Sequence, residues 1–321
     1  MNDYISGIAS DIVAMLDYRD ALGYSRKSIG AILKNLDRFC ADFYPEATVL
    51  TKEMVCGWLE EQHSNISQKA SATRTLGKYM NAIGKDAYVL YEKYAEHSKN
   101  QSAYILTDKE LSALFQAIDK TKATLAEPFL HEIAPVMFRL IYTCGLRPNE
   151  GRELKRKSIN LKSGEILITN TKFNKERMVV MSSDMLKMCK EYDKRRKIFG
   201  QGNEYFFPSR ERDGSFSTNE VALFLRAAWI HANPKVKLSE LPSLRVYDLR
   251  HRFASAVLIR WLDAGQPLNA KLAYLRAYMG HNRLSDTAYY IHLLPENLVK
   301  SAGIDWSAFD ELVPEVVSWQ E

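Results

Sequence analysis

Between Ser25 and Phe43 the apolar residues recur at helical spacing, with Ile29, Ile32, Leu33, Leu36, Phe39, Cys40 and Phe43 falling along one face. Such a pattern cannot lie as a strand, because a period of two would scatter these residues over both faces of a sheet. Ser25 supplies a cap at the start. Three further segments repeat the pattern. Ile8, Ile12, Met15 and Leu16 form one, and Thr51 opens another with Met54, Val55, Trp58 and Leu59. The third carries Thr73, Leu76, Tyr79, Met80 and Ile83. Four amphipathic helices joined by short turns predict a small helical bundle over residues 1–100. The polar run from His97 to Ser102 then reads as a linker, and Thr107 is placed to cap the next helix. With 321 residues the chain suits two cores better than one, so residues 101–321 are expected to form a second domain.

The second domain mixes periods. Ile133 to Thr143 is apolar and helical, Gly145 suits its C-terminal turn, and Pro148 suits the start of a following helix. Glu165–Ile168 and Arg177–Met181 read as short strands, with the polar stretch from Lys172 to Lys175 at a hairpin tip. Helices return with a Ser217/Glu220 capping box, then Asp248–Leu262 and Lys271–Met279. The expected fold class is mainly α in two domains, the second a mixed α+β domain with a small β-sheet.

Charge distribution says more than the net value of +5. Residues 1–100 carry 12 Lys/Arg against 13 Asp/Glu, whereas residues 147–197 carry 15 against 7. That concentration suits a polyanionic partner, although a solvated charged helix over Lys190–Lys197 would give the same count. The four cysteines are scattered without a CxxC pair, which argues against a disulfide framework or a zinc site and for a reducing compartment. The start lacks the basic and apolar regions of a signal peptide, and no apolar run is long enough to span a bilayer. A cytoplasmic location without membrane contact is expected.

Three separated segments carry the chemistry. Thr143-Cys144-Gly145-Leu146-Arg147-Pro148-Asn149-Glu150 comes first, and Tyr247-Asp248-Leu249-Arg250-His251-Arg252-Phe253-Ala254 follows about a hundred residues later. Met279-Gly280-His281 then precedes Tyr289-Tyr290, with Tyr290 nine residues after His281. In order and separation these resemble the three boxes of the tyrosine recombinase (phage integrase) family, over nearly all of residues 103–300. The resemblance implies a helical, core-binding (SAM-like) N-terminal domain and a C-terminal catalytic domain, closing as a clamp around double-stranded DNA. It also implies Arg147 and Arg250 as the pair that binds the scissile phosphate. Forked, permanently charged donors suit the charge that builds on nonbridging oxygens in a pentavalent transition state.

By the same resemblance Tyr290 is the nucleophile and forms a covalent 3′-phosphotyrosyl link that conserves bond energy for rejoining. Tyr289 is its rival. The nine-residue count and the following Ile291-His292 favour Tyr290. Thr171–Arg177 resembles the family's lysine hairpin and points to Lys172 as proton donor to the leaving 5′ oxygen, with Lys175 as the alternative. Thr171 and Phe173 stand where the family has glycines. Lys175 and Arg177 are expected to contact DNA. His281 is expected at the phosphate, and Tyr247 stands where histidine is usual, a poorer base because its ordinary pKa is about 10. Glu150 is expected to brace Arg147 or His281, and His251 to pack and hydrogen-bond beside Arg250.

The chemistry calls for no metal or nucleotide cofactor. The resemblance further implies recombination through a Holliday junction within a tetramer on DNA, at a specific site, in the service of a mobile element or phage. With its first helix already under way before Gly23, the chain is expected to be a simple two-domain enzyme rather than a large arm-binding integrase. An apolar stripe of Trp306, Phe309, Leu312 and Val313, continuing past Pro314, marks residues 304–321 as an oligomerisation tail that docks in trans or packs in cis. Two other functions compete: a type IB topoisomerase-like nicking and rejoining enzyme, and a non-catalytic DNA-binding protein of the same fold.

Overall fold

The structure is a computed structural model, and it describes residues 4–61, 64–95, 103–169, 176–210 and 214–292. These fall into two compact units, one before Ser102 and one after it. The first unit contains helices α1 (Ala9–Ala21), α2 (Arg26–Phe43), α3 (Lys52–Glu60) and α4 (Ile66–Ala82). Ser25 and Thr51 accept hydrogen bonds from the backbone of Lys27 and Met54, so both caps act where the sequence places them. Ile12, Leu33, Leu36, Met54, Trp58, Leu76 and Met80 are buried together in one core. A buried carboxylate ties the chain start to this core: Asp37 accepts from the backbone of Ile5 and Ser6 and from the Ser6 hydroxyl.

The second unit is built around α6 (Leu130–Thr143), whose buried residues lie on nearly every face. Against it pack α5 (Asp108–Asp119), α8 (Ser183–Phe199) and α10 (Val246–Asp263), while α9 (Thr218–Ala232) packs on α5. The short α7 (Pro148–Arg152) starts on its proline, which lacks the N–H that a first helical turn leaves unpaired anyway. Strands β1 (Glu165–Ile168) and β2 (Arg177–Val180) pair antiparallel, with Leu167 opposite Met178. A second two-stranded piece, β3 (Pro208–Ser209) with β4 (Gly214–Ser215), is too short to leave a pattern in the sequence. The last two helices are α11 (Leu268–Met279) and α12 (Ser285–His292). They share an apolar cluster with α10 that includes Leu258, Leu272, Leu275, Met279 and Tyr290. Among the described residues no helix is long and apolar enough to cross a membrane.

Part of the basic charge in residues 147–197 is spent inside this unit. Arg156 pairs bidentately with buried Asp193, and Arg196 donates to the carbonyls of Asn203, Tyr205 and Phe206. Thus α8 is amphipathic in an unusual way, burying Asp193 and Arg196 beside Cys189 and Tyr192. It is not simply a solvated charged helix. A guanidinium can be buried here because carbonyls and a carboxylate replace its water.

Two helix ends decide where the later chemistry sits. After α6, Gly145 adopts φ +59°, its N–H reaches the Tyr142 carbonyl and that of Leu146 reaches Ile141. After α11, Gly280 adopts φ +66° and the His281 N–H reaches Arg276. Both are left-handed glycine turns that close a helix C-terminus. At Gly145 a Cβ would lie 2.4 Å from the Phe253 ring, on a backbone that L side chains rarely adopt. Gly145→Ala is therefore expected to destabilise the protein by about 2 kcal/mol or more. Urea unfolding followed by circular dichroism measures it.

Candidate active site

The site grows from Glu150, in the first turn of α7. Its carboxylate accepts the backbone N–H of Arg147 (2.8 Å) and the Arg147 Nη1 (2.8 Å). From the start of β2, Arg177 adds a bidentate pair at 2.8 and 2.6 Å, and its Nε donates to the Tyr278 carbonyl. Burial alone would raise the Glu150 pKa. The hydrogen bonds and charge of Arg177, with those of Arg147, more than offset this and hold it at about 2. Glu150 thus holds Arg147 and Arg177 together. The Arg177 side chain is only 9% exposed, and its donors are committed to Glu150 and Tyr278. A forked cation beside a buried carboxylate is held there, because leaving the carboxylate unpaired would cost far more than surface exposure gains.

The two box arginines converge on the helix ends. Arg147 Nη2 donates to the Gly280 carbonyl at 2.6 Å. Arg250, on α10 and 0% exposed, donates to the carbonyls of Gly145 and Met279, each at 2.7 Å. These carbonyls are the partly negative ends of α6 and α11. A second contact of Arg250 Nη2 reaches His281 Nε2 at 2.9 Å, and the Arg250 Nε makes no hydrogen bond among the described residues. Burial lowers the Arg250 pKa below its usual value.

His281 lies in the turn between α11 and α12, with Nδ1 2.8 Å from the Thr287 hydroxyl. Burial, then the charges of Arg250, Arg147 and Arg177, lower its pKa to about 3, so the ring is neutral near pH 7. Tyr290 stacks on it, with ring centroids 5.8 Å apart and planes 20° apart. Only 2% of Tyr290 is exposed, against 43% of Tyr289, which contacts Tyr290 edge-on. Burial raises the Tyr290 pKa to about 12, against the opposing charge of Arg250. His251 packs against Tyr247, Tyr289 and Tyr290, and burial lowers its pKa to about 4. Its Nδ1 makes no hydrogen bond among the described residues. Tyr247, one turn before His251, is partly exposed.

Arg147, Glu150, Arg177, Tyr247, Arg250, His251, His281 and Tyr290 are therefore brought together, whereas Lys172 and Lys175 lie outside the described residues. Thr287 is the residue that sequence reasoning missed. Its only signal was its place three residues before Tyr290, on the same face of α12. Among the described residues no three His, Cys, Asp or Glu side chains gather to hold a metal ion.

Two forked cations, a neutral imidazole and a buried phenol are thus gathered side by side. The comparisons give the class. Residues 104–297 match the family model described as "Phage integrase family". A relative from Sinorhizobium fredii, a putative integrase/recombinase, is 24% identical over 91% of this chain and 93% of its own length. Among solved structures, the Tn1549 transposon integrase in complex with transposon right end DNA superposes with a TM-score of 0.61 at 13% identity, covering 90% of this chain and 97% of that one. The XerH site-specific recombinase bound to palindromic difH substrate gives 0.59 at 17%, covering 86% and 78%. The chain belongs to the phage integrase family and is a tyrosine-type recombinase.

The two depressed histidines make the fold sensitive to acid. A histidine neutral in the folded state and protonated when unfolded takes stability away as pH falls from about 6.5 towards its folded pKa, by at most about 1.4 kcal/mol per pH unit for each group. For His281 and His251 the folded limits are about 3 and about 4. Unfolding free energy is expected to fall between pH 6.5 and 4, and to fall less in His281→Asn, as read from urea titrations at each pH.

Proposed function

We propose that this protein cuts and rejoins double-stranded DNA at a specific site through a covalent 3′-phosphotyrosyl intermediate and a Holliday junction, in the service of a mobile element or phage. The observation that carries the reading is the stacking of Tyr290 on His281, directly beside Arg250 and within the charge field of Arg147. A scissile phosphate would take over the donors that Arg147 and Arg250 now give to the carbonyls of Gly280, Gly145 and Met279. Once the phosphate engages Arg250, His281 Nε2 is released to accept the phenolic proton of Tyr290. The Tyr290 oxygen then forms its bond to phosphorus as the bond to the 5′ oxygen breaks. The leaving oxygen takes its electron pair and a proton, for which Lys172 is the proposed source. Tyr247 lines the site as a hydrogen-bond donor.

The relatives support the DNA partner and the recombination chemistry, since the solved neighbours are named as complexes with transposon end DNA and with a recombination site. In this reading residues 1–100 grip the duplex with the catalytic domain, Lys175 contacts the backbone, and four protomers assemble on DNA in the cytoplasm. Residues 304–321, outside the described residues, are the proposed assembly element; their removal is expected to weaken multimeric complexes in gel-shift assays while single-protomer binding to duplex persists.

The decisive test uses a nicked duplex carrying the sequence that the full-length protein selects from a random-sequence duplex library. Wild type and Tyr289→Phe are expected to become covalently attached, and Tyr290→Phe is not. Attachment that survives in Tyr290→Phe but is lost in Tyr289→Phe would overturn the assignment. Site-independent relaxation of supercoils would point instead to a topoisomerase.

A further inference from the structure

The neutral His281 ring holds one proton, and its neighbours decide which nitrogen carries it. A guanidinium is a donor only and stays charged. At 2.9 Å from Arg250 Nη2, the His281 Nε2 must therefore accept, so it bears no hydrogen. The proton sits on Nδ1, which donates to the Thr287 Oγ1 at 2.8 Å. Thr287 is completely buried, its backbone N–H is bound to the Leu284 carbonyl, and its β-branched side chain has few rotamers open to it. The acceptor is thus fixed in place, without competition from bulk solvent.

We propose that Thr287 is a positioning residue for strand cleavage: its hydroxyl locks His281 in the Nδ1–H tautomer and keeps the Nε2 lone pair free to accept, from Arg250 in the resting site and from the Tyr290 hydroxyl once the phosphate takes that donor. The proposal rests on the strand-exchange reading above and adds to it the residue that orients the base. Thr287 lies on α12, one turn before Tyr290 and on the same face, so a single helix carries both the nucleophile and the group that sets the histidine. Any shift of α12 that delivers Tyr290 to phosphorus carries the Thr287 hydroxyl with it. Tyr290, also on α12, stacks on the His281 ring, and the other charged or titratable groups around it come from neighbouring elements. Arg250 and His251 come from α10, Arg147 and Glu150 from the start of α7, and Arg177 from β2. Of these the arginines only donate, and Glu150 is occupied by two of them.

The test compares wild type, Thr287→Val and Thr287→Ser as full-length proteins on the nicked selected duplex described above. Thr287→Val keeps the shape of the side chain and removes the acceptor. It is expected to slow covalent attachment by about tenfold or more while leaving duplex affinity within about twofold of wild type. The acidic limb of its pH–rate profile should move to lower pH, because protonated imidazole loses an acceptor for its Nδ1–H. Thr287→Ser should restore both rate and profile. Long-range proton–nitrogen spectra of the DNA-free protein, with His281 assigned by its loss in His281→Gln, should show the Nδ1–H tautomer in wild type and Thr287→Ser. In Thr287→Val that tautomer should give way to a mixture.

An unchanged rate and pH profile in Thr287→Val would overturn the proposal, as would retention of the Nδ1–H tautomer in that variant. Failure of Thr287→Ser to rescue would do the same, since it would reduce Thr287 to packing. If wild type attaches to no duplex, strand exchange itself fails, and the nitrogen spectra alone then decide for or against Thr287.

Discussion

The cation cluster of the candidate site leans on the buried carboxylate of Glu150. It receives Arg147 from its own helix start and Arg177 from the foot of the hairpin, and Arg250 lies 4.0 Å away. One negative charge thereby allows three cations to share a small, poorly solvated volume, where their mutual repulsion would otherwise be severe. Removing such a partner leaves charges buried without compensation, which is the costly direction of any change at a buried ion pair. Arg177 also binds the Tyr278 carbonyl, so the same carboxylate couples the base of β2 to the end of α11.

Other donors of Arg147 and Arg250 are taken by carbonyls at helix C-termini. Glycine turns after α6 and α11 expose the carbonyls of Gly145, Met279 and Gly280, and the arginines occupy them. In the proposed reading a phosphate oxygen, with its full charge, would replace these weaker acceptors on the same donors. The buried phenol of Tyr290 and the neutral His281 belong to the same design. Both are held in their uncharged forms by burial, while the charges of Arg250 and Arg147 favour the ionised tyrosine.

The helices were largely legible from periodicity and caps. Ser25, Thr51, Thr107 and Ser217 all accept the backbone hydrogen bonds that their positions implied. Helix starts were less legible: α10 begins at Val246 rather than Asp248, because the Asp248 carboxylate reaches back to the Arg245 N–H. Likewise α11 begins at Leu268, just after Pro267, three residues before the expected Lys271. The two-residue strands β3 and β4 were invisible, since so short a stretch has no period to read. Charge counting misled in one respect. Arg177 and Arg196 count towards the basic segment but lie largely buried, committed to Glu150 and to backbone carbonyls.

By itself the sequence determined the mainly helical class, the arginine, histidine and tyrosine set, and the order in which they occur, because residue type and spacing are local properties. Tertiary structure decided which partner each side chain meets. Arg177 and Arg147 are both basic residues near turns, yet one is locked between Glu150 and Tyr278 while the other is 30% exposed and bridges two helix ends. Thr287 is an ordinary threonine until the turn at Gly280 brings the His281 ring against it. Burial, proton placement and ion pairing arise only when distant segments share one low-dielectric volume, and no local pattern encodes that meeting.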